Sequence, residues 1–254
     1  MSKLLTIIFS TILLISCGNH KELDTIINTN TDWSKLNLIG DVKSYRETKF
    51  LAVNDFSIIE DGEKKPHVFN KEILFNLDGF KIEMNEYMPD GNLTCRTMYL
   101  YQNGNLKEYN CYDFQGSPFK IGKYEYKDNK IEKLVDNSSE GRHNWTKKYS
   151  YNNTGNIAEV VQYKSEEIID SKEIYIYDEN NNMIESDFYK ADELITKNNH
   201  SYDEDGNITE LKYGETHLYS YKYSYDFKGN WVKKIVYENN EPSGIIFRDI
   251  EYFD

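Results

Sequence analysis

The chain has 254 residues and a formal net charge of −13 at pH 7, from 43 acidic against 30 basic side chains. A surface that acidic, with no basic cluster to interrupt it, repels phosphate backbones and anionic headgroups, so nucleic acid is excluded as a partner. Three cysteines without a Cys-x-x-Cys pair and five scattered histidines offer no zinc spacing, so no metal or other cofactor is expected.

The N-terminus reads "MSKLLTIIFSTILLISCGN", one lysine and then an apolar run too short for a bilayer span of about 20 residues. It has the form of a secretory signal. The tetrad Leu14-Ile15-Ser16-Cys17 resembles the bacterial lipobox, which implies cleavage after residue 16 and acylation of Cys17. The expected location is therefore the cell envelope, as an outer-membrane lipoprotein held by its lipid and facing the periplasm or the outside. Residues 17–35, "CGNHKELDTIINTNTDWSK", read as a polar linker, and its Asp24-Thr25-Ile26 resembles an O-glycosylation triplet centred on Thr25. Residues 36–254 read as one domain.

Within that domain "NDFSIIEDGEKKPHVFN" reads as a long loop or irregular hairpin. From Gly79 onward turn signals recur every 12 to 14 residues: Gly79, Gly91, Gly104, Gly116, Asn129, Gly141 and Gly155. Asn181, Gly206 and Gly229 follow at about twice that step. Segments rich in Tyr, Ile and Val fill the intervals, such as "TCRTMYLY", "KYEYK" and "KEIYIYD". Alternating aromatic and β-branched residues between Asn-Gly or Asp-Gly turns mark β-hairpins. The predicted fold is all-β, an antiparallel meander of repeated hairpins curled into a strip, an open barrel or a partial shell. Taking "QNG" as a three-residue loop pairs Tyr101 with Asn105 and puts Cys95 opposite Cys111, close enough for a disulfide or for two reduced thiols on one face.

The turns "YSYDFKGN", "NHSYDEDGN", "YIYDENNN" and "KYSYNNTGN" share the form aromatic-x-Tyr-Asp-x-x-Gly-Asn. This resembles the YD repeat of the RHS family, and the whole chain is similar to YD-repeat lipoproteins of Bacteroidetes. The resemblance implies a shell of coiled hairpins. Unlike in large RHS proteins, no toxin domain is expected after Asp254.

In "HLYSYKYSYD" the residues Tyr219, Tyr221, Tyr223 and Tyr225 line one strand face. Two roles are open to them, core packing or a ligand-stacking surface to which Trp145 and Trp231 would also belong. "YDEDGNITE" has calcium-ligand types at alternate positions, but its glycine and glutamate fall at the wrong places for an EF-hand loop. No nucleophile motif, zinc-binding helix or phosphate loop is present, so a non-enzymatic role is expected. The function this supports is an envelope binding or scaffold module for polysaccharide or a protein partner. The alternative is an immunity protein against an RHS-type toxin, with a glycan-acting enzyme third.

Overall fold

A computed structural model describes residues 31–55, 58–139, 144–165 and 168–254. The expected signal peptide, Cys17 and Thr25 lie outside the described residues. One helical turn, α1 (Asp32–Lys35), precedes strands β1 (Val42–Asp55), β2 (Ile58–Lys64), β3 (Asn70–Phe75), β4 (Lys81–Tyr87), β5 (Leu93–Gln102) and β6 (Asn105–Asp113). Next come β7 (Pro118–Lys127), β8 (Lys130–Ser138), β9 (Trp145–Tyr151), β10 (Ile157–Tyr163), β11 (Ile169–Tyr177) and β12 (Met183–Lys190). The chain ends with β13 (Glu193–Tyr202), β14 (Ile208–Tyr213), β15 (His217–Tyr225), β16 (Trp231–Glu238) and β17 (Glu241–Tyr252).

The repeating turns have a common mechanism. Asp203 Oδ1 accepts from the backbone N–H of Asp205 at 3.1 Å and of Asn207 at 2.7 Å. Asp226 does the same for Lys228 and Asn230, Asp178 for Asn180 and Asn182, and Asn152 for Thr154 and Asn156. Each such loop needs a left-handed residue three places after the Asp or Asn, filled by Gly155, Gly206 and Gly229 at φ of 80° to 93° and by Asn181 at 66°. The Asp-x-x-Gly-Asn pattern is thus the local chemistry of a five-residue loop. It appears at Asn76 as well, where Oδ1 accepts from Asp78 and Phe80.

From β3 to β17 every strand pairs antiparallel with the next, so the expected meander is present. It does not end as a strip or partial shell. Tyr45 of β1 opposes Ile73 of β3 on one side and Ile250 of β17 on the other, closing a barrel of sixteen strands. Closure removes both sheet edges. The first half of β1 seals the ring, and its second half leaves the wall to form a ribbon with β2, an irregular hairpin with a register shift between Phe50 and Ala52, as one of the two expectations for this stretch had it.

The hairpin carrying the cysteines has a two-residue loop, Asn103-Gly104, with φ of 52° and 76°, as a type I′ turn requires. A bulge between Leu100 and Tyr101 then shifts the register once more. Cys111 therefore opposes Thr97, Cys95 opposes Asp113, and both thiols are free, which corrects the expected direct pairing.

Residues 31–35 are no linker. Trp33 packs on the Gly79 turn and donates from Nε1 to Val42 O at 2.9 Å. At the far side of the same barrel end Asn37 donates to Asp205 O, and Asn230 exchanges hydrogen bonds with both backbone groups of Ile39. Residues 31–41 thus form a plug across one end, over a core of Leu38, Val42, Tyr45, Ile73 and Phe75.

Candidate functional site

Alternate residues of each strand meet two environments. On the outer face Glu108 opposes Lys123 near the middle of β6 and β7, Glu125 opposes Lys133, and Lys197 pairs with Glu185 at 2.7 Å. A lysine or arginine on a lipid-facing strand at the bilayer centre costs about 2–4 kcal/mol. The same wall also exposes apolar side chains such as Met98, Leu100 and Ile176. Among the described residues no helix is long and apolar enough to cross a membrane.

The inner face carries the tyrosines, and many of their hydroxyls are spoken for. Tyr126 donates to Leu106 O at 3.0 Å, Tyr151 to Ile131 O at 2.9 Å, Tyr177 to Ile157 O at 2.9 Å and Tyr202 to Met183 O at 2.9 Å. In each case the last tyrosine before a loop ties its hairpin to the start of the preceding strand. Tyr101 departs from this and donates to the plug residue Asp32 at 2.6 Å. Burial, then the Asp32 carboxylate, push the Tyr101 hydroxyl far above its ordinary range, so it stays a proton donor.

Tyr101, Tyr126, Tyr151 and Tyr177 wall a cavity of about 450 Å³ between the plug and the turns of the same barrel end. Asp32 and Lys35 of α1 form its plug side, Tyr124 lies deeper, and the Nζ of Lys130 rests 4.9 Å over the Tyr151 ring. The size suits a small organic ligand. Its rings are held at fixed angles by the hydroxyl bonds, with a carboxylate, an ammonium and backbone carbonyls beside them.

A second constellation lies deeper in the lumen, below the plug core. Glu47, only 5% exposed, accepts from Arg248 Nη2 at 2.7 Å and Nε at 3.2 Å and pairs with Lys71 at 3.4 Å. Arg248 is sandwiched between Trp231 at 3.5 Å and Tyr45 at 4.3 Å. Burial works to raise the Glu47 pKa, but Lys71 and Arg248 outweigh it and hold the carboxyl below its ordinary range. Lys234 points into the same lumen. Burial lowers its pKa from 10.5 to about 8, with Arg248 and Lys71 adding repulsion against the pull of Glu47.

The predicted stacking residues do not form one surface. Trp231 is buried inside the barrel on β16, whereas Trp145 stands on β9 opposite Asp136, beside Phe119 and Lys120. Tyr219 and Tyr221 line a cavity at the Lys234 end, while Tyr223 packs on Trp231 at 5.9 Å. Tyr225 accepts a hydrogen bond from Asn207 at the plugged end. All four face inward. Sequence reasoning missed Asp32, Glu47, Lys49, Lys234 and Arg248. The signal was there in "SYRETKF", where Glu47 and Lys49 share the phase of the inward Tyr45. Among the described residues no group of three or more His, Cys, Asp or Glu side chains is placed to hold a metal ion.

No protein-family profile and no curated protein matches the chain. A solved porin-like protein from Bacteroides uniformis ATCC 8492 aligns with 83% of this chain and 96% of its own, with a TM-score of 0.51 and 10% identity. That likeness concerns the barrel fold. The TcdB2-TccC3-Cdc42 complex, and TcdB2-TccC3 without its hypervariable C-terminal region, each align over 11% of their chains with a TM-score of 0.22, at 13% and 12% identity. The YD-repeat resemblance is corrected by the first of these: the likeness that spans 83% of this chain is to a porin-like barrel, and the ring closes on itself. The Asp-x-x-Gly-Asn motifs that carried the resemblance are loop chemistry open to any antiparallel meander.

Proposed function

We propose that the chain is a non-catalytic envelope protein, tethered through a lipid on Cys17, whose plugged barrel end binds a small saccharide. The observation that carries this is the cavity of about 450 Å³ walled by Tyr101, Tyr126, Tyr151 and Tyr177 with Asp32 at its side. Sugar rings combine apolar faces with hydroxyl donors, and this wall offers ring surfaces together with a carboxylate acceptor. A porin-like pore is the less apt reading, because the outer wall is charged at mid-strand and residues 31–41 cross one mouth. An array of bacterial and host mono- and oligosaccharides, read with the full-length protein in detergent, tests it. Saturable binding that Tyr126→Ala/Tyr151→Ala loses with its unfolding transition retained supports the site. A blank array, or binding untouched by the double variant, overturns it.

A further inference from the structure

The deeper lumen below the plug core is independent of that saccharide site and has a different chemistry. Lys49, Lys65, Lys71, Lys234 and Arg248 converge there, while the carboxylates acting on them are Glu47 and Glu86. In a chain of net charge −13 this is a local excess of positive charge, facing inward. Glu47 is taken up by Arg248 and Lys71, so Lys234 makes no ion pair or hydrogen bond among the described residues and meets only ring faces, Trp231 at 4.9 Å and Tyr221 at 5.4 Å. Desolvated cations left in this state favour a bound anion.

The cavity beside them measures about 330 Å³. Lys49, Lys65 and Lys234 border it at one part of the wall, and Leu211, Tyr221, Val236 and Ile246 make the rest largely apolar. Val68, from the loop that follows β2, closes the rim. A bare inorganic anion would leave that apolar wall wet. We infer that this part of the lumen binds an amphiphilic organic anion, its carboxylate between Lys234 and Lys49 and its apolar body along Leu211, Tyr221, Val236 and Ile246.

Calorimetric titration of the full-length protein with decanoate, decanol and inorganic phosphate decides the matter. Decanoate is expected to saturate below about 1 mM, with decanol and phosphate each at least about tenfold weaker. Lys234→Met, which keeps the stem and removes the charge, is expected to weaken decanoate at least about tenfold while the protein stays folded. Tyr126→Ala/Tyr151→Ala, at the plugged end, is expected to leave decanoate binding unchanged, which separates this site from the saccharide cavity. Absence of saturable decanoate binding, equal binding of decanol or phosphate, or an unaffected Lys234→Met variant overturns the inference.

Discussion

Replacing Glu47 by Gln removes one charge and almost no volume from the centre of the lumen cluster. Arg248, 7% exposed, would then keep a neutral amide as its partner, and Lys71 and Lys234 would lose their nearest carboxylate. Removing one member of a buried, hydrogen-bonded pair costs about 3–5 kcal/mol, because the remaining charge stays buried without compensation. Urea unfolding followed by tryptophan fluorescence reads it well, since Trp231 stacks 3.5 Å from the Arg248 guanidinium. The pH dependence carries a sign. The folded-state pKa of Glu47 lies below its ordinary 4.5, so its contribution is fully present above pH 4.5 and is lost as the pH falls through the lower folded value. Glu47→Gln should lack that acid-labile component. Adding Arg248→Met removes the orphaned charge and should recover at least about 1 kcal/mol of the loss. A single variant that loses less than about 1 kcal/mol, or a double variant no better than the single, would refute the account of the cluster as a compensated charge group.

Lys234 supplies the opposite sign. Its pKa falls from 10.5 to about 8 on folding, so its penalty is fully present below pH 8 and relieved between pH 8 and 10.5. At about 1.4 kcal/mol per tenfold change in proton affinity, wild type should gain up to about 3 kcal/mol relative to Lys234→Met across that window. Lys234→Met should be more stable than wild type at pH 7, and its advantage should shrink between pH 8 and 10.5, the tyrosines common to both proteins cancelling in the difference; a difference independent of pH would contradict it. Tyr177→Phe deletes the bond to Ile157 O at 2.9 Å and should cost about 1 kcal/mol, read as a fall in Tm of about 2–4 °C, whereas an unshifted Tm would deny the latch any weight. Gly122→Ala would put a Cβ 2.1 Å from the Tyr109 ring and displace the hydroxyl that donates to Asp136 at 2.7 Å. A cost of about 3 kcal/mol is expected from chemical denaturation, and a neutral result would place Tyr109 elsewhere. Titration of the unreduced, unfolded protein should find both Cys95 and Cys111 as free thiols, with Cys111 the slower to react in the folded state; a disulfide would require the register of β5 and β6 to change.

Much of this barrel is legible in the sequence because its loops are local chemistry. An Asp or Asn that caps its own loop, followed by a residue able to take positive φ, marks a turn whatever surrounds it, and the strands follow from the spacing. Closure is not local. The bond that seals the ring at Glu47 and Arg248 joins residues 201 positions apart, and neither side chain looks like a partner of the other from the alternation of its own strand. The plug hides for a related reason: Asp32 falls in the expected linker, and only the fold brings its target, Lys81 N, near, as it brings Asp205 O to Asn37. The cysteine register shifted twice, once through a loop one residue shorter than expected and once through a bulge. The tyrosine face was readable as one face, but whether it pointed outward to a ligand or inward to a lumen depended on a curvature that strand alternation does not encode.

The placement of β1 has a mechanical consequence. This strand leads directly out of the plug and is hydrogen-bonded on both sides, to β17 and to β3. A pull from the N-terminal side must first strip residues 31–41 from the Gly79, Asp205 and Asn230 turns. It then loads two antiparallel ladders along their length, so many bonds must yield together before any strand slides. Force from the N-terminal side therefore meets both seams of β1 at once.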